Sequence, residues 1–168
     1  MTLRIAALDP GASPTLAFLS PDNTLSFAEG DALAGKTATG KTRPIPALCR
    51  AALFGFTGGN LPDLLVIEDV RGMPGDSRGS GEVLTYCVGL VEGIATGLEV
   101  RVRRVTPVVW KRWAGLLKAD KDASRRAACD LFIAQAGLFS RKKDEHRAEA
   151  ALMAMWGAAQ LSAERRAA

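Results

Sequence analysis

Leu64-Leu65-Val66-Ile67-Glu68-Asp69 is the stretch on which the fold turns. Four apolar residues in unbroken succession, ended by two carboxylates, mark a strand covered on both faces, since a strand with one wet face alternates. Glu68 and Asp69 then close the strand and point to opposite faces. Upstream, Leu3 to Asp9 is a second apolar run, and Asp9-Pro10-Gly11 ends it with a turn signature that leaves Asp9 at a strand edge. Thr15 to Leu19 and Thr24 to Ala28 flank the turn-rich Ser20-Pro21-Asp22-Asn23, the pattern of an antiparallel meander. Gly30 to Pro44 reads as a loop, and Ile45 to Phe56 as a helix broken by Gly58-Gly59-Asn60.

Downstream of the two carboxylates, Arg71 to Gly81 is glycine-rich and reads as a loop. Glu82 to Leu98 reads as a helix carrying Gly89, Gly93 and Gly97 four apart, a bare stripe where another backbone can approach, within the chain or from a second copy. Glu99 to Val105 alternates as a half-exposed strand does, and Thr106-Pro107 opens a helix with a cap and a proline at its first position. A helix over Ala123 to Ala136 has Asp122 as its cap and Gly137 as its stop. A last helix, Glu145 to Leu161, presents Leu152, Met155, Trp156 and Ala159 as an apolar face. The order β-β-β-α-β-α-β followed by helices implies an α/β fold.

The 168 residues, 48% hydrophobic and 24% charged, suit one globular domain over residues 1–168 and exclude disordered or collagen-like chains. No apolar run reaches the roughly 20 residues that cross a bilayer, and the N-terminus lacks a basic segment before an apolar block. Cys49, Cys87 and Cys129, odd in number and widely spaced, suit reduced thiols. A soluble cytoplasmic protein with no membrane partner is therefore expected. Charge is lopsided: from Arg101 to Arg126 nine basic residues face two acidic ones, an excess of seven in a chain whose total is +4. Such a segment suits a polyanion, nucleic acid above all, with a solvated helix face as the plain alternative.

Acidic groups recur at element ends: Asp9, then Glu68 with Asp69 as its rival, then Asp144, Glu145, His146 and Glu149 at the start of the last helix. Neighbouring first and fourth strands would set Asp9 beside Glu68, and His146 and Glu149, three apart, share a helix face. Crowded carboxylates repel, and a divalent cation offsets that repulsion. Oxygen ligands with one imidazole suit Mg²⁺ or Mn²⁺ better than zinc. Two such ions about 4 Å apart can hydrolyse a phosphodiester. Each piece also has a plainer reading, as a turn residue or as a helix N-terminal acid favoured by the dipole.

The combination resembles the RuvC family of Holliday junction resolvases, within the ribonuclease H-like nucleases. Ala6-Ala7-Leu8-Asp9-Pro10-Gly11 and Leu65-Val66-Ile67-Glu68 look like its first two metal-binding motifs. Val109-Trp110-Lys111 and Ala119-Asp120-Lys121 resemble its two lysine positions, and His146-Arg147-Ala148-Glu149-Ala150-Ala151-Leu152 its final-helix motif. The resemblance implies a mixed five-stranded sheet flanked by helices. It also implies a homodimer acting on four-way DNA junctions with two Mg²⁺ or Mn²⁺ ions per active site. Asp9, Glu68, His146 and Glu149 would bind metal, and Lys111 and Lys121 would neutralise phosphate. The chain departs from the family where Glu149 stands for the usual aspartate and where Arg71 occupies a position that often carries an aromatic wedge. Other readings are a flap or general branched-DNA nuclease, a nucleotide-binding relative of the same sheet, and a catalytically silent DNA-binding module.

Overall fold

The computed structural model describes residues 3–11, 13–55, 59–70, 78–120 and 122–167. Its centre is a five-stranded sheet of order β3-β2-β1-β6-β7. These strands are β1 (Ile5–Asp9), β2 (Thr15–Leu19), β3 (Leu25–Glu29), β6 (Leu64–Glu68) and β7 (Val102–Val105). β1 pairs antiparallel with β2, and β2 with β3, while β6 runs parallel to both β1 and β7. The expected mixed sheet is thus observed. The uninterrupted apolar runs of β1 and β6 have the expected cause, since every residue of both strands is buried.

Pleating sends alternate residues to two separate cores. Ile5, Ala7, Leu64 and Val66 meet Trp110, Phe139, Ala148, Ala151 and Leu152, which belong to the layer built by α3 (Pro107–Trp113), α4 (Ala123–Leu131) and α5 (Glu145–Ala167). Ala6, Leu8, Leu65 and Ile67 meet Leu33, Cys49, Leu53, Cys87 and Val91, from α1 (Pro46–Gly55), α2 (Arg78–Gly97) and the segment before them. Cys49 and Cys87 are buried free thiols, and Cys129 is a half-buried one. No helix among the described residues is long and apolar enough to cross a membrane.

The structure corrects several expectations. Gly30 to Pro44 holds a 3₁₀ turn (Gly30–Ala32) and a two-stranded hairpin, β4 (Ala34–Lys36) with β5 (Thr42–Pro44). Gly35 to Thr42 spells the G-x-x-x-x-G-K-T pattern of nucleotide phosphate loops. That motif works through free backbone N–H groups at a helix start. Here the N–H groups of Thr37, Gly40 and Lys41 are bonded to Lys41 O, Thr37 O and Thr37 Oγ1 within the hairpin, and α1 starts only at Pro46. The segment from Gly35 to Thr42 is therefore a hairpin and not a phosphate loop.

Thr106 and Asp122 stand at the expected N-cap positions, but neither side chain makes a capping bond. α4 stops at Leu131, and Ile133–Phe139 is a 3₁₀ segment kinked at Gln135. The kink has a visible reason: the Gln135 side chain accepts from the Leu25 N–H at 2.8 Å and donates to the Leu25 carbonyl at 2.9 Å, standing in for a strand beside β3. In α5 the buried set is broader than one face: Leu152 and Trp156 are buried, Met155 is half-buried, and Ala148, Ala151, Ala154 and Gly157 are also enclosed.

Gly157 marks the closest approach of α5 to the sheet, since a Cβ there would stand 2.5 Å from Val66 Cγ2 and 3.2 Å from Ile5 Cγ2. Gly89, Gly93 and Gly97 are exposed on α2 with open space around them, so that stripe is not used for packing within the described chain. Opposite responses are expected from one substitution type. Gly157→Ala overpacks the core and costs about 1–3 kcal/mol, whereas Gly93→Ala gains up to about 1 kcal/mol from helix propensity; urea unfolding midpoints check both.

Candidate active site

Leu8 lies opposite Ile67 in the β1–β6 register, so Asp9 and Glu68 end neighbouring parallel strands at one level. Both fall on the α5 side of the sheet by the alternation that sends Ala7 and Val66 there, and both are buried, with 8% and 6% exposure. Asp69 takes the opposite side, where its Oδ1 is 3.8 Å from Arg104, so Glu68 and not Asp69 joins Asp9. The first turn of α5 closes over this edge. His146 Nδ1 stands 2.6 Å from Asp9 Oδ2. Glu149 accepts from Lys111 Nζ at 2.8 Å and from Ser124 Oγ at 3.1 Å. Trp110, fully buried, donates its indole N–H to Glu68 Oε1 at 2.8 Å, and Lys111 Nζ sits 5.0 Å from the centre of the Trp110 ring.

The expected residues Asp9, Glu68, Lys111, His146 and Glu149 therefore share one neighbourhood. Lys121 and Arg71 lie outside the described residues. Asp144 does not belong to the site: it is buried and accepts from the Arg141 backbone N–H at 2.9 Å and from its guanidinium at 2.8 Å, fixing the turn before α5. Trp110 and Ser124 are additions to the expected set. Trp110 stands next to Lys111 in sequence, whereas Ser124 carries no local signal.

Electrostatics explain the pairings. Burial pushes the Glu68 carboxyl up to about 7, against the Trp110 hydrogen bond and with help from the charges of Asp9 and Glu149. Burial also raises Asp9, opposed by the His146 contact. The hydrogen bond to Asp9 carries the His146 imidazole up to about 9, although desolvation works against its charge. Burial likewise opposes the Lys111 charge, but Glu149, Glu68 and Glu145 outweigh it and leave the ammonium raised. Three clustered carboxylates thus draw every nearby cation toward themselves. No three acidic, histidine or cysteine side chains among the described residues stand close enough, as arranged, to enclose a metal ion. The donor set itself fits one: hard oxygens and one imidazole, held by two neighbouring strands and a helix, with negative charge only partly met by His146 and Lys111.

The basic segment from Arg101 to Arg126 is less open than its charge count implies. Glu164 pairs with Arg101 and Arg103, Glu92 with Arg104, Asp122 with Arg125 and Asp120 with Arg126. Only Arg112 and Lys118 among its described cations have no ion pair.

Solved structures share this arrangement of strands and helices. Thermus thermophilus RuvC in complex with a Holliday junction substrate matches at TM-score 0.58 and 15% identity, over 90% of this chain and 90% of that one. The chain has a RuvC-like resolvase fold. The RuvC-like neighbours extend to the yeast mitochondrial Holliday junction resolvase Ydc2, at TM-score 0.53 and 14% identity over 90% of this chain and 77% of that one. The fowlpox virus Holliday junction resolvase matches at TM-score 0.52 and 14% identity, over 95% and 99%. No protein-family model and no curated protein sequence matches. The RuvC-like sheet is ribonuclease H-like in its mixed five-stranded order.

Trp110→Phe keeps the ring but leaves Glu68 Oε1 without its indole donor in a dry site. A stability loss of about 1–3 kcal/mol is expected, measured by chemical denaturation, whereas Trp113→Phe at an exposed position should change stability by less than about 0.5 kcal/mol.

Proposed function

We propose that this chain is a structure-selective endonuclease that resolves four-way DNA junctions by divalent-metal-dependent phosphodiester hydrolysis. The observation that carries the reading is the convergence of Asp9, Glu68, His146 and Glu149, from three distant stretches, on one edge of a RuvC-like sheet. Mg²⁺ or Mn²⁺ is the fitting cofactor, two ions per site, with these four residues as ligands. When bound, the ions supply water activation and charge neutralisation at phosphorus. Trp110 holds Glu68 by one oxygen, Oε1, and leaves the other carboxylate oxygen without that donor. Lys111 holds Glu149 in the resting site and, being a raised ammonium at the rim, neutralises a phosphate oxygen when DNA arrives. Lys121 takes the second phosphate position by the resemblance. His146, paired to Asp9 through Nδ1 and largely exposed, would give up that hydrogen bond and the proton its raised pKa retains in order to serve as a ligand beside Asp9.

A junction has two symmetric cut points, so a twofold homodimer is the fitting assembly. The bare, solvent-facing stripe of Gly89, Gly93 and Gly97 supports α2 as the contact between copies. Arg71, in place of an aromatic wedge, favours keeping a second reading, a branched-DNA nuclease of broader substrate range.

Cleavage of synthetic four-way, flap and linear DNA with Mg²⁺ or Mn²⁺ tests the reading. Paired nicks in the junction are expected, leaving 5′-phosphates. Asp9→Asn and Glu68→Gln should each lower the rate by at least about 10²-fold while junction binding persists. Equal cutting of flaps and junctions selects the broader nuclease, and binding without any metal-dependent nicking selects a silent module.

A further inference from the structure

The described cations divide into two populations. Around β7 and α4, Arg101 and Arg103 share Glu164, while Arg104, Arg125 and Arg126 pair with Glu92, Asp122 and Asp120. On the β4–β5 hairpin, Lys36, Lys41 and Arg43 meet no carboxylate; Lys36 Nζ reaches only the Thr42 hydroxyl, at 2.9 Å. Salt bridges quench a cation's reach into solvent, so these three, like the unpaired Arg112, Lys118, Lys142 and Lys143 elsewhere among the described residues, reach further than the paired arginines.

The hairpin is held in place. Ala34 opposite Pro44, Gly35 opposite Arg43 and Lys36 opposite Thr42 set its register, and its base is anchored by buried Leu33 and Ala34. The tip is tied by Thr37 N–H to Lys41 O at 2.9 Å, Gly40 N–H to Thr37 O at 2.8 Å and Lys41 N–H to Thr37 Oγ1 at 3.2 Å. Arg43 stands on one face of it with Lys41 two positions before, while Lys36, opposite Thr42 and bonded to its hydroxyl, stands on the other, so the hairpin presents cations on both sides. A groove of about 510 Å³ separates it from the N-terminal half of α2, lined by Gly35, Lys36, Arg43, Ile45, Glu82 and the exposed ring of Tyr86.

Its place follows from the sheet register. Glu29 lies opposite Thr15, and Thr15 opposite Asp9, so β3 ends at the same edge as the carboxylates, and the hairpin follows β3 after one 3₁₀ turn. Leu33 and Cys49 pack with Leu8 and Ile67, which puts this segment on the α2 side of the sheet, across it from His146 and Glu149.

We propose that the β4–β5 hairpin grips the sugar–phosphate backbone of one DNA arm through Lys36, Lys41 and Arg43, away from the scissile bond. The proposal rests on the nuclease reading above. Three cations on a preorganised turn suit evenly spaced phosphates, because little side-chain and loop freedom remains to be lost on binding. Among the described residues Glu82 is the single acid lining the groove, and it opposes the grip.

Fluorescence anisotropy of a labelled four-way junction, with Asp9→Asn in every variant and across a salt series, tests it. Combined Lys36→Gln, Lys41→Gln and Arg43→Gln should weaken binding about tenfold or more and flatten the log K against log salt slope by about 2–3, as loss of three phosphate contacts requires. Glu82→Gln should tighten binding. Combined Arg101→Gln, Arg103→Gln and Arg104→Gln removes equal charge from the paired population and should change affinity far less. An unaltered slope in the hairpin variant, or equal losses in both triple variants, overturns the hairpin's role while leaving the nuclease reading intact. A parent protein that binds no branched DNA overturns both. Melting temperatures equal to the parent's exclude misfolding, because all three hairpin side chains are at least partly exposed.

Discussion

Two carboxylates are buried at the ends of two parallel strands that are themselves covered on both faces, and the rest of the molecule answers to that cost. An isolated ionised group in such a place is strongly disfavoured. Asp9 and Glu68 cannot turn to solvent without leaving the sheet, so compensation has to come from elsewhere in the chain. It arrives from α5 as His146, from α3 as the Trp110 N–H and the Lys111 ammonium, and these groups serve three acids between them. The result is a carboxylate cluster, closely backed by core, whose partners are drawn from two helices.

That convergence depends on how closely α5 can lie. Gly157 removes the side chain that would meet Val66, and Ala148, Ala151 and Ala154 keep the rest of that surface thin. Arg147, next to His146, pairs with Glu29 at the end of β3, its Nε 2.8 Å from Glu29 Oε2. The helix is therefore fixed both along its length and at the turn that carries the chemistry. Arg103 and Arg101 secure its far end through Glu164.

The sheet was legible because its central strands are apolar on both faces and stop at charged residues. Asp9, Glu68, His146 and Glu149 were legible for the same reason: each is a polar group at the limit of an apolar element. Asp144 read like them, yet it serves the backbone turn, a difference set by Arg141 and invisible in spacing. Trp110 entered the reading only as the neighbour of Lys111, yet it is a core residue with one N–H aimed at Glu68. The β4–β5 hairpin escaped because three-residue strands of Ala, Gly, Lys, Thr, Arg and Pro carry no alternation. The end of α4 escaped because Ala134-Gln135-Ala136 favours helix locally, and only the distant backbone of Leu25 draws Gln135 out of it. The charge count over Arg101 to Arg126 missed Glu92 and Glu164, which are near in space and apart in sequence.

The side-chain amide of Gln135 has one more effect. By taking both hydrogen-bonding groups of Leu25, it obstructs the outer margin of β3, and at the other margin β7 exposes Arg103 and Arg104 instead of a flat apolar ribbon. Lateral annealing of one sheet onto another is thereby disfavoured on either flank, as in proteins that resist fibrillar association.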